Sequence, residues 1–366
     1  MGQYENGACP APARLAVILP KPDKNQRLVP GGWWIEICED NHRNPSLEPD
    51  HHAAAQAITG IATTVTPTMA KETGTNMQLD FFNDSQSVVL RNDVIVAIEQ
   101  CDLPGARLAL QTLGQHDPQD QHQNALGLLI ETLAARTATE FRDHAALHLA
   151  CQALRHDITA AAQGSLGEPG ASIWLRLRWQ ELAGRAAPLA YRGDHSDDHA
   201  APLWLCAGDW QAALDAVARI ASWRRIPAPL SWMLHARLKL QGLQANWGLL
   251  AELAWLSPGR LDQVMAQAAD PILQQWVSQF EQKFDGTGES SELAWLPAWL
   301  LTERPGLAPH LAQAQAGQHS APEQAMRVLI ELLGLERQGR QRELIERRKT
   351  LRGLHAALYA AYLATR

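Results

Sequence analysis

Metal-capable side chains crowd one stretch of this chain, Asp194-His195-Ser196-Asp197-Asp198-His199. Histidines four apart share one face of a helix, and two imidazoles with a carboxylate make a common zinc ligand set. The flanks point elsewhere. Gly193 and Pro202 bracket the acidic pairs and read as a loop, and a third ligand with apolar flanks is missing. The expectation is a solvated loop that also caps the helix around Leu203, so no metal ligand is assigned. Asp50-His51-His52 is a smaller cluster with no second metal-binding block. No Gly-x-Ser-x-Gly, Walker-type glycine loop, dinucleotide fingerprint or His-Glu-x-x-His occurs, and Cys151 with His156 lacks the third group of a nucleophilic dyad. The expectation is therefore no enzyme, no cofactor and no catalytic residue.

The elements that would position such residues are helices. Of 366 residues, 46% are apolar and 19% charged, enough for a substantial core, and the net charge of -7 gives no reason to expect direct nucleic-acid or membrane binding. Cys9, Cys38, Cys101, Cys151 and Cys206 are odd in number and form no Cys-x-x-Cys pair, which predicts a reducing, cytoplasmic setting. No stretch approaches the roughly 20 apolar residues of a membrane span, and Leu15–Leu19 is too short for a secretory leader. The first 76 residues hold 8 of the 21 prolines and keep no period, so residues 1–76 are expected to be disordered or non-native. Met69 and Met77 both precede the change of character and are expected as alternative translation starts. From residue 77 to 366 the spacing is helical. Val88, Val89, Val94, Ile95 and Ile98 form one apolar face, and Leu103, Ala106, Leu110 and Leu113 form the next. Breaks are expected at Gly114–Pro118, Gly164–Gly170, Gly193–Pro202, Pro227–Pro229, Ser257–Gly259, Asp285–Gly288 and Pro305–Pro309. Short joints between such helices give antiparallel pairs.

Two stretches are built alike. Cys101-Asp102-Leu103-Pro104-Gly105-Ala106 and Gly208-Asp209-Trp210-Gln211-Ala212-Ala213 each place a polar corner before a large apolar residue, then a small residue three on, then a helix stopped by proline. These units resemble the second half of a tetratricopeptide (TPR) repeat. Trp247 follows Trp210 by 37 residues, near that family's period of about 34, and Thr139–Ala145 is a degenerate candidate for a unit between Asp102 and Asp209. The resemblance implies an all-α solenoid of stacked antiparallel hairpins over residues 77–366, with Leu103, Trp210 and Trp247 as wedges and Ala106 and Ala213 at helix crossings. It also implies a scaffold or adaptor holding a protein or peptide ligand. Eleven of the 13 tryptophans lie between Trp174 and Trp299 and are expected mainly as packing wedges. The run from Arg337 to Arg352 is expected to be a solvated face with a Glu343–Arg347 pair, and Leu351, Leu354, Leu358 and Tyr362 to seal the last repeat.

Gln78-Leu79-Asp80-Phe81-Phe82 is similar to the pentapeptide with which bacterial replication and repair proteins dock on the DNA sliding clamp. That similarity implies an extended segment whose Gln78 makes polar contacts while Leu79, Phe81 and Phe82 fill a preformed pocket. It gives the alternative expectation of a clamp-tethered accessory factor.

Overall fold

In the computed structural model, residues 74–135, 139–284, 290–315, 317 and 319–366 are described, with side chains from Gln86 onward. The described residues are all-helical, with no strand among them. The chain divides into two compact units, the first running to Leu133 and the second from Ala134. The first holds α1 (Gly74–Glu99), α2 (Leu103–His116) and α3 (Gln123–Ala134). The second begins with α4 (His144–Ala153), which passes through a π turn into α5 (Thr159–Ala186). There follow α6 (Ala200–Cys206), α7 (Trp210–Ala218), α8 (Pro227–Gln241), α9 (Trp247–Leu256), α10 (Pro258–Ala268) and α11 (Pro271–Lys283). The chain closes with α12 (Leu296–Glu303), α13 (Ala308–Leu311), α14 (Ala321–Gln338), α15 (Gln341–Leu354) and α16 (Ala356–Ala364).

One backbone device makes three of the hairpins. Cys101, Gly208 and Gly339 adopt left-handed φ values of 58, 70 and 69°. At each, the N–H of the corner residue reaches back three residues and the next N–H reaches back five. Asp102 N donates to Ala97 O at 2.9 Å, Asp209 N to Trp204 O at 3.0 Å, and Arg340 N to Leu335 O at 3.2 Å. These closures satisfy the orphan carbonyls of a helix end and turn the chain straight into the next helix. The Asp102 and Asp209 side chains then cap the new helices, accepting from Gly105 N at 3.1 Å and Ala212 N at 3.0 Å. Asp143 does the same for α4 through Ala146 N. Cys101 thus occupies the glycine position itself, at a cost of about 1 kcal/mol for a non-glycine side chain there. The paired helices differ in length, 26 and 14 residues at Cys101, 7 and 9 at Gly208, 18 and 14 at Gly339. The corner recurs; a fixed helix length does not.

Two helices of the second unit are apolar nearly all round and sit at its centre, as such helices must. Every residue from Ala228 to Ala236 of α8 is buried, and every residue from Leu296 to Thr302 of α12. Trp179, Trp232, Trp247 and Trp299 belong to this core, and Trp174 is buried outside it.

Several expectations change. The boundary at 76/77 falls inside α1, because residues 77–99 contain neither glycine nor proline; residues 1–73 and the Asp285–Gly288 break lie outside the described residues. Val94 and Ile98 are buried, whereas Val88 and Val89 are 46% and 58% exposed; the buried face of α1 runs through Ser87, Val94 and Ile98. The Gly164–Gly170 break shrinks to one residue, Gly167, at φ 69° inside α5. Trp247 opens α9 after Asn246, whose side chain bonds back to Gly242 O instead of capping forward. Arg347 pairs with Glu331 at 2.7 Å, and Glu343 with Arg340. Arg348 and Arg366 ring Tyr362 and Glu336, so part of the basic run is structural.

Candidate functional site: a cleft at the Gly208 corner

Gly167 and Pro169 start the second half of α5 afresh, and its two faces then differ. Trp174, Arg178, Trp179, Leu182 and Ala183 turn into the protein. Ile173, Arg176, Leu177 and Gln180, spaced three and four apart, form one solvent-facing row, with Ile173 65% and Leu177 39% exposed. This row flanks a shallow open cleft of about 300 Å³. Arg176 and Gln180 line it from α5, Gly208, Asp209, Trp210 and Gln211 from the corner and first turn of α7, and Leu240 from the end of α8. Leu240 is itself 45% exposed. Gly208 lines the cleft between Arg176 and Trp210: a Cβ there would stand 3.8 Å from Arg176 Nε and 3.9 Å from the Trp210 ring. Behind Trp210 lies His235, its ring centroid 5.5 Å away. Burial, with Lys239 nearby, pushes the His235 imidazole down to about 4, so it is neutral at physiological pH.

The expected packing residues divide between core and cleft. Ala106 and Ala213 are fully buried and Trp247 is nearly so, while Leu103 is half-buried. Trp210 has moved roles: it packs on His235 and also walls the cleft. The pentapeptide Gln78–Phe82 lies in the first half of α1 with helical backbone, not as an extended segment, and its side chains lie outside the described residues.

The Asp194–His199 loop is less solvated than expected. Asp198 is 3% exposed and accepts from two imidazoles, His148 Nδ1 of α4 at 3.0 Å and His195 Nδ1 at 3.2 Å. His199 caps α6, its Nδ1 accepting from Ala201 N at 3.1 Å, while its ring stacks on Trp232 at 5.8 Å. Burial, aided by Arg219 and His144, pulls His199 down to about 4, which matches a neutral acceptor nitrogen. His195 and His199 therefore spend their Nδ1 atoms on different partners. Among the described residues no group of three or more His, Cys, Asp or Glu side chains is arranged to hold a metal ion. Cys151 is raised to about 12 by burial and stays a thiol at neutral pH. Sequence reading missed the Asp198 pairing because His148 lies 50 residues away.

No family model, no curated protein and no solved structure matches this chain. No described helix is long and apolar enough to cross a membrane. Architecture alone defines the class: among the described residues, an all-helical protein with a solvent-open cleft at a repeated hairpin corner.

Proposed function

We propose that this chain is a protein-binding scaffold, a TPR-like stack of helical hairpins that offers the cleft at Gly208 to a segment of another protein. The observation that carries this is a set of exposed aliphatic side chains: Ile173 and Leu177 on the same α5 face as the lining residues Arg176 and Gln180, and Leu240, which lines the cleft from α8. Two exposed aliphatic side chains on α5, with a third across the cleft on α8 and a half-buried tryptophan in the lining, resemble the apolar centre of a protein interface more than an ordinary wet surface. The open shape favours a chain segment over a small molecule, which needs enclosure.

The test is partner capture with wild type and with Ile173→Glu, Leu177→Glu. Both positions are exposed, so helicity should hold. Each aliphatic contact is worth about 1.5–3 kcal/mol when buried, so partner recovery should fall roughly tenfold or more. A partner set unchanged by the double variant would contradict the proposal.

The clamp-tethered reading is a separate proposal resting on Gln78–Phe82. It places the docking peptide in α1 of the first unit, and docking in extended form would require that turn of α1 to unwind.

A further inference from the structure

The charge of the cleft narrows what the scaffold takes, if the cleft is the binding site proposed above. Two charged residues line it, Arg176 and Asp209. Asp209 is already engaged, its carboxylate accepting from Ala212 N at 3.0 Å as the cap of α7. Arg176 is exposed and makes no hydrogen bond or ion pair with a described residue, while Gly208 beneath it carries no side chain to cover it. The other polar groups on the lining, Gln180 and Gln211, are neutral. A planar guanidinium that faces an open cleft binds carboxylates in a two-pronged mode that a lysine cannot copy. On either side of it along α5 stand Ile173 and Leu177, with Leu240 across the cleft. From Ile173 to Gln180 the row extends about 10 Å, since each helical residue rises 1.5 Å. That is room for a few residues of a ligand chain.

We infer that the cleft recognises a short protein segment in which an acidic residue is flanked by aliphatic ones. The carboxylate seats on Arg176 over Gly208, and the aliphatic side chains cover Ile173, Leu177 and Leu240. The ligand's acid pairs with the Arg176 guanidinium, which has no carboxylate partner among the described residues, so neither group is left buried and unpaired.

A phage-displayed library of random dodecapeptides, panned on the full chain, tests this. Peptides that lose binding to Ile173→Glu are the ones seated in the cleft. Among them, sequences with Asp or Glu between aliphatic residues should dominate, and their affinity should fall roughly tenfold on Arg176→Gln, the usual worth of a charge-assisted contact. Panning on Arg176→Glu should instead enrich Lys or Arg at that place. Cleft-dependent peptides with no acidic preference, or affinities indifferent to Arg176→Gln, would overturn the inference while leaving the scaffold reading standing. No peptide sensitive to Ile173→Glu would overturn the scaffold reading itself. Unchanged circular dichroism of each variant guards against misfolding.

Discussion

Acidification should weaken the second unit through two buried neutral histidines, and His235 gives the cleaner experiment. Its imidazole is 9% exposed, packed on Trp210 and held down to about 4 by burial. An unfolded chain returns it to the ordinary 6.5. Between those values the unfolded state binds the proton and the folded state does not, so stability is complete above pH 6.5 and falls as pH drops toward 4. Integrating that difference from pH 7 to pH 4.5 gives about 2 kcal/mol lost at this residue. His199 follows the same sign over the same window, and its protonation also ends its cap on Ala201 N. Replacing His235→Phe keeps an aromatic ring beside Trp210 and removes one titration. Urea unfolding of wild type and variant at pH 7 and pH 4.5 isolates the effect, because other groups cancel in the comparison. The stability gap should shift by about 2 kcal/mol in favour of the variant on acidification. Parallel losses in the two proteins would refute the reasoning.

Other consequences follow from close packing and from buried charge. A Cβ on Gly248 of α9 would stand 3.2 Å from Ala314 N and 3.3 Å from Gln313 C, both backbone atoms; Gly248→Ala should cost about 1–3 kcal/mol by thermal melting, and an unchanged melting temperature would contradict this approach. Glu252, 7% exposed, is held by Arg224 at 2.5 and 2.6 Å and by Gln315 N at 2.7 Å. Arg224→Met leaves that carboxylate without its cation and should cost about 3–5 kcal/mol; Arg224→Met with Glu252→Gln should recover part of it, and no recovery would mean the loss lies elsewhere. For the clamp proposal, Phe81→Ala with Phe82→Ala should abolish binding to purified sliding clamp at unchanged helicity, and retained binding would dismiss the pentapeptide.

What could be read from sequence alone divides along physical lines. The corners at Cys101 and Gly208 were legible because an aspartate cap follows a left-handed position within one residue. The matching corner at Gly339 was not, since Arg340 supplies no cap and the polar Gln341 stands where a large apolar residue follows the other two corners. Tryptophans of the core, such as Trp232 and Trp299, could be placed inside in advance because aromatic burial is common. Which apolar residues stay outside could not: Ile173 and Leu177 differ from Leu182 only in what other helices leave uncovered. The Gly164–Gly170 stretch read as a loop, yet every residue but Gly167 kept helical geometry, which local composition does not reveal. Asp198 found its partner His148 across 50 residues, beyond the reach of any spacing rule.

The most direct test of the scaffold claim is in-cell photo-crosslinking from the cleft rim. Leu177→benzoylphenylalanine places the reactive group on the rim, and Ile345→benzoylphenylalanine on α15, 53% exposed, serves as the control. The account predicts a defined protein adduct from position 177 that disappears when Ile173→Glu is added and is absent from position 345. No adduct at 177, or the same adducts from both positions, would contradict it.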